Sequence, residues 1–136
     1  MKLAILTTQT IHHTYFINEL NKYSKIDLVI VEKPINVYKN NLNHPFEKIR
    51  DEFEKRHCLG DLDIKINSIA NTLNVEDINE NLSISELKKI NPDIIIVFGT
   101  RKLEKNFVTI FNDALWNLHG GNPEEYRGLD SHLWAI

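Results

Sequence analysis

Apolar positions along the chain gather in short unbroken runs rather than in alternation. Leu3 to Leu6 lies in the segment Lys2–Thr8, Leu28 to Val31 in Asp27–Val31, and IIIVF in Asp93–Gly99; a shorter run lies in Ala114–His119. Such runs, bounded by polar residues, predict strands buried on both faces, as in a parallel sheet. The intervening segments change period. HHTYFINELNKYS puts Tyr15, Phe16, Leu20 and Tyr23 on one helical face. In SISELKKINPD, Ser83 and Glu86 have the spacing of a capping box, and Pro92 closes the helix by barring the residue before it from the helical conformation. Glu104 to Phe111 forms a further short helix. Strand, helix, strand, helix predicts an α/β fold: a Rossmann-like, open, mostly parallel twisted sheet with helices on both faces.

The middle of the chain is less regular. Val37 to Pro45 is polar and Asn-rich and reads as a loop. Phe46 to Cys58 reads as a surface helix packed by the narrow stripe Phe46, Ile49 and Phe53, with a substrate lid or partner helix as the alternative. Asp63 to Ile69 reads as a short edge strand. Nothing rich enough in Pro, Gly or Ser marks a linker, so residues 1–136 form a single domain. The closing SHLWAI starts a helix whose Leu133, Trp134 and Ile136 have little to cover them. The expectation is the N-terminal part of a longer domain, incomplete at its C-terminus, or a chain that pairs with a second copy as a homodimer.

Composition narrows the class. The 136 residues are 42% hydrophobic and 26% charged, as in a soluble globular domain. A net charge of −3 disfavours a dedicated nucleic-acid binder. One cysteine, Cys58, excludes an intrachain disulfide and a cysteine-only metal cluster. The longest apolar run, Ile94 to Phe98, is too short for a bilayer, and MKLAILTT lacks the features of a secretory signal, which predicts a cytoplasmic protein without a membrane partner. The first strand is followed by TTQTIHHT, with no GxGxxG or GxxxxGK[ST] to cradle phosphates, and no GxSxG elbow occurs. His12 and His13 are adjacent and diverge on a helix, and His57 beside Cys58 is an equally thin pair, so no metal is predicted.

Chemistry concentrates in WNLHGGNPEEYRGLDSHLWAI, from Trp116 onward, where the last predicted strand ends. Ligands of open α/β sheets bind at the carboxyl ends of strands. Asn117 and His119 are two apart and face one side of an extended chain. A carboxamide can donate to a developing oxyanion, and an imidazole can donate to it or move a proton. Gly120 and Gly121 let a ligand approach the backbone. The plain alternative makes Asn117 a strand terminator and His119 a satisfied buried histidine.

Asn117-Leu118-His119-Gly120 followed by Tyr126-Arg127-Gly128 resembles the Asn-x-His … Tyr-Arg-Gly signature of the folate-dependent formyltransferases, which include methionyl-tRNA, glycinamide ribonucleotide and sugar N-formyltransferases. IIIVFGTRKL is similar to the strand and loop that cradle the folate in that family. Gly121-Asn122-Pro123-Glu124 stands where the tRNA and purine-pathway members have Ser-Leu-Leu-Pro, so the pattern is most similar to the sugar N-formyltransferases. The acidic Glu124 and Glu125 also suit a protonated amine better than tRNA.

The resemblance implies formyl transfer from 10-formyltetrahydrofolate, as co-substrate, to a primary amine of a nucleotide-linked amino sugar, a small molecule. The amine attacks the formyl carbon; Asn117 holds the formyl oxygen, and His119 stabilises its charge and assists proton movement. Phe98, Gly99, Thr100, Arg101, Lys102 and Leu103 would bind the folate, with Phe98 as a core residue in the alternative. Thr8, Gln9, Gly120, Gly121, Asn122, Tyr126 and Arg127 would border the acceptor. The alternatives are a helix cap and an exposed His pair around Thr8 to His13, an ion pair for Arg127 and a turn for Gly128. The family's third catalytic residue, an Asp, lies downstream of Ile136; Asp130 is not its counterpart and caps the following helix. The fragment by itself is therefore expected to be inactive. The alternatives for function are a methionyl-tRNA formyltransferase-like enzyme, a non-catalytic folate- or nucleotide-binding fragment, and an unrelated nucleotide-binding α/β domain with a chance Asn-x-His.

Overall fold

The computed structural model describes residues 1–34, 45–60, 63–122 and 124–125, with the backbone alone for 45–47. In chain order the elements are β1 (Leu3–Thr8), α1 (Ile11–Asn21), β2 (Leu28–Glu32), α2 (Pro45–Leu59), the single turn α3 (Ile66–Ile69), β3 (Thr72–Val75), α4 (Asn81–Ile90), β4 (Ile94–Phe98), α5 (Lys105–Phe111) and β5 (Leu115–Asn117). The strands form one sheet in the order β3-β2-β1-β4-β5, and every neighbouring pair is parallel.

Side-chain alternation divides the core into two layers. Ala4, Leu6, Leu28, Ile30, Val75 and Ile95 point to the face covered by Ile84 and Leu87 of α4 and Phe107 and Phe111 of α5. Leu3, Ile5, Val29 and Val31 point to the other, covered by Ile17 of α1 and Ile66 of α3. β1 and β2 are buried on both sides, which is why their sequences read as unbroken apolar runs. Among the described residues, no helix is long and apolar enough to cross a membrane.

Several local expectations change. α1 buries His13, Thr14 and Ile17, with Phe16 and Leu20 packed beside them, while Tyr15 and Tyr23 face solvent. The buried stripe is thus turned away from Tyr15 and Tyr23, because its centre is set by contact with the sheet rather than by the largest side chains. The edge strand is Thr72–Val75, not Asp63–Ile69; Ile66–Ile69 is a helical turn, where Ser68 donates its hydroxyl to the Lys65 carbonyl at 2.7 Å. Ser83 is no cap: α4 starts at Asn81 behind Glu80, and Ser83 is buried inside it. Pro92 does stop the helix, with Asn91 before it left-handed at φ 50°.

The stripe on α2 is also misassigned. Ile49 and Phe53 are 62% and 60% exposed, and the side chain of Phe46 lies outside the described residues. Instead Glu54 of α2 meets His12 of α1 at 3.3 Å, and Leu59 is buried. β5 is an edge, not a doubly buried strand: Leu115 packs against the α5 layer, but Trp116 is 64% exposed. The helices on the Trp116 side lie beneath β1, β2 and β4 and do not reach it. The loop expected at Val37–Pro45 and the helix expected at SHLWAI lie outside the described residues, apart from Pro45, which begins α2.

The Ser83 hydroxyl is fully buried and has no hydrogen-bond partner among the described residues. Ser83→Ala removes an unsatisfied group and raises helix propensity. It should stabilise the protein by about 1–2 kcal/mol in denaturant titration, and a loss of stability would reveal a partner for the hydroxyl.

Candidate active site at the carboxyl edge of the sheet

From β1 the chain moves outward in one direction to β2 and β3 and then returns to the other side for β4 and β5. The strand order therefore reverses between β1 and β4, and the carboxyl ends of those strands flank the crevice where such sheets bind ligands. Thr7 is in register with Phe98, and Val97 with Asn117. Thr8, Gly99 and Asn117 thus follow one another along the same edge.

His13 occupies the floor of this crevice. Thr10 caps α1, its hydroxyl accepting the His13 amide at 3.2 Å, and the imidazole turns inward to 5% exposure. Its ring lies 4.2 Å from that of Phe98, which in turn meets Phe16 at 5.4 Å. Nδ1 donates to the Thr8 carbonyl at 3.0 Å and stands 3.1 Å from the Thr8 hydroxyl, which donates to the Gly99 carbonyl at 3.3 Å. Gly99 has φ +73°, and a Cβ there would lie 2.2 Å from His13 Cε1. Its missing side chain therefore makes room for an imidazole of the same chain. Burial lowers the His13 pKa to about 4, opposed by the Thr8 carbonyl and assisted by neighbouring His12. Only His12 of the pair is exposed, where it meets Glu54.

The loop after β4 is held from the opposite side. Glu32, at the end of β2, is 1% exposed. Its Oε2 accepts the Arg101 amide at 2.9 Å, and its Oε1 accepts the Ile78 amide at 2.7 Å and lies 2.6 Å from Arg101 Nε. The Arg101 guanidinium continues to Asp77 at 2.7 Å and to the Glu76 carbonyl at 2.9 Å. The Asn79 amide, and then Arg101, hold the Asp77 carboxyl below its ordinary pKa. Dinucleotide folds use an acid on this second strand to grip ribose, but here both carboxylate oxygens are engaged internally. Arg101 is consequently a strut: its amide and guanidinium serve the protein. Lys102 and Leu103 follow in the same loop, with the Lys102 carbonyl bonded to Asn79 at 3.2 Å, while Thr100 donates its hydroxyl to the Arg101 carbonyl at 3.0 Å.

Asn117 ends β5 with its side chain exposed, and His119 follows it half-buried. His119 Nδ1 lies 2.8 Å from the Gly121 carbonyl and 3.3 Å from the Gly121 amide; the shorter contact favours the tautomer with its proton on Nδ1 and the lone pair on Nε2. Nε2 has no partner among the described residues. Gly120 and Asn122 are exposed beside it, and the Asn122 carboxamide oxygen accepts the Glu124 amide at 3.1 Å. Tyr126, Arg127, Gly128 and Asp130 lie outside the described residues. Among the described residues, no group of three His, Cys, Asp or Glu is placed to hold a metal ion.

No family model matches the chain. A methionyl-tRNA formyltransferase of Borrelia garinii subsp. bavariensis is 33% identical over 76 residues, covering 54% of this chain and 24% of that protein. The chain therefore spans about a quarter of the length of this curated relative. The crystal structure of a phosphoribosylglycinamide formyltransferase from Anaplasma phagocytophilum superposes with a TM-score of 0.59 at 15% identity, covering 99% of this chain and 57% of that one. The chain therefore resembles a formyltransferase in sequence over about half its length and shares the fold of another.

Glu32, Asp77 and Asn79 are not singled out by the sequence, and the inward turn of His13 is not expected from it. One signal existed for Glu32: it shares the strand face of Leu28 and Ile30, where a buried acid demands a partner. A cavity of about 640 Å³ opens beside the crevice between the start of α1 and α2, lined by Gln9, Thr10, His12, Arg50, Glu54 and Lys55.

Two outcomes follow from the His13 geometry. Because its folded pKa is about 4 and its unfolded value about 6.5, the unfolded chain binds the extra proton first. The wild type should lose on the order of 2 kcal/mol as pH falls from about 6.5 to about 4, and His13→Gln should flatten that part of the stability–pH curve. Gly99→Ala should destabilise by roughly 2–4 kcal/mol through the imidazole clash and the positive φ. In chemical denaturation, Gly99→Ala combined with His13→Ala should cost less than the two single changes added together.

Proposed function

We propose that the chain contributes the donor-side half of a formyltransferase site, moving a formyl group from 10-formyltetrahydrofolate to the primary amine of a nucleotide-linked amino sugar. The observation that carries the reading is the placement of Asn117 and His119 at the carboxyl end of β5, beside the loop that leaves β4 at the switch point. The loop fits a pterin: the amides of Thr100, Lys102 and Leu103 have no acceptor among the described residues and can meet the paired donors and acceptors of its edge. Asn117 donates its carboxamide N–H to the formyl oxygen as charge grows there. His119, protonated on Nδ1 and basic on Nε2, takes a proton from the attacking amine.

Thr8 and Gln9 border the acceptor, and the neighbouring cavity gives it room, with cationic Lys55 for a phosphate group. The Gly121-Asn122-Pro123-Glu124 segment supports an amino-sugar acceptor. The methionyl-tRNA formyltransferase relative favours a second reading, a tRNA acceptor. A net charge of −3 and the acids after Asn122 weigh against that polyanion. The site is in the cytoplasm, and residues 1–136 by themselves bind folate without turning over.

The test is titration with 5-formyltetrahydrofolate, which should saturate, followed by formyl-transfer assays of the intact protein with nucleotide-linked amino sugars and with methionyl-tRNA. His119→Ala should lower turnover about 10²–10⁴-fold and Asn117→Ala about 10²–10³-fold. Failure to bind the reduced folate would overturn the reading, and transfer to methionyl-tRNA alone would replace the acceptor.

A further inference from the structure

We propose that Glu32 and Asn79 are positioning residues that set the shape of the folate-side loop without touching the ligand. The proposal rests on the formyl-donor reading of residues 99–103. Glu32 reaches this loop from β2 and Asn79 from the turn between β3 and α4, so neither belongs to the strand that the loop extends. Glu32 fixes the Arg101 peptide and guanidinium, and Asn79 accepts the Glu104 amide at 2.8 Å while donating to the Lys102 carbonyl. Asn79 is itself oriented by Asp77, whose Oδ1 takes its backbone amide at 2.8 Å and its side-chain amide at 3.1 Å. The two side chains therefore hold the loop at three peptides, 100–101, 102–103 and 103–104. The N–H groups of Lys102 and Leu103 are left without an acceptor among the described residues.

Stability alone does not explain this device. A buried ion pair gains little over well-packed apolar groups, because desolvation offsets the attraction. Its distinctive yield is direction: a carboxylate that accepts from two amides and ion-pairs with a guanidinium favours one arrangement of the loop. The opposite side is set by the contact of His13 with Gly99 and by the Thr8 hydroxyl on the Gly99 carbonyl. Held from both sides, the loop presents its free donors already ordered, so a ligand does not have to order them on binding.

The experiment compares Glu32→Gln, Asn79→Ala and a control, Ile26→Ala, in the intact protein. Ile26 is buried just before β2, at the end of the sheet away from the site. Calorimetric titration with 5-formyltetrahydrofolate should show about tenfold weaker binding for Glu32→Gln and Asn79→Ala. The KM for the acceptor amine should stay unchanged. Ile26→Ala should lower the Tm and keep the folate affinity. Hydrogen exchange of the amides of residues 100–104 should quicken in the first two variants only.

Unchanged folate affinity in both, with the wild type binding normally, overturns the proposal and leaves the formyl-donor reading standing. Wild-type protein that binds no reduced folate overturns that reading instead; loop exchange then decides the proposal, and equal exchange in all variants overturns it. Should Glu32→Gln fail to fold, the half-buried Asn79 carries the same comparison.

Discussion

A parallel strand in the centre of a sheet must be covered on both faces, and β1 places that demand on the whole chain. Leu3 and Ile5 need cover on one side, Ala4 and Leu6 on the other. The crossover helices supply it, α1 and α3 below, α4 and α5 above. Because every strand then runs the same way, all carboxyl ends and the loops that leave them share one edge. The threonines after β1, the glycine after β4 and the Asn117–His119 pair after β5 come together there through this constraint, across more than a hundred residues of sequence.

The edge is polar, but its two principal supports are interior. His13 is kept neutral by burial, so an uncharged ring can fill the gap between Phe98 and Gly99 at ordinary pH. Glu32 keeps its place by the opposite means, with every short contact going to an N–H of the protein. A buried carboxylate that accepts from two amides and faces a guanidinium has few other arrangements open to it. The loop between β4 and α5 is thus fixed by groups remote from it in sequence, while β5 leaves Trp116 and Asn117 exposed at the sheet's border. The two halves of the candidate site differ accordingly: a braced loop after β4, and an edge where Asn117 is exposed and His119 makes only short local contacts.

The apolar runs identified β1 and β2 because burial on both faces leaves a local mark, a stretch without polar interruption, and they also located the less buried β4 and β5. Asn117 and His119 were legible for a similar reason: two residues apart, their relation needs only a strand end. The third strand was misplaced, since TLNV is partly polar and half-buried, while DIKINSI mimics alternation although Asn67 and Ser68 favour a turn. The capping box at Ser83 and the stripe on Ile49 and Phe53 failed likewise, because periodicity gives a face but not which neighbour arrives to bury it.

Sequence by itself determined the fold class and the direction of the strands and singled out Asn117 and His119 as candidates, all of which depend on residues close along the chain. Only the tertiary structure decided that His13 lies under Gly99, that Glu32 holds Arg101 across 69 positions and that Asn79 reaches Glu104. Such contacts pay their loop-closure entropy through the packing of the whole sheet, so no local pattern of residue types announces them.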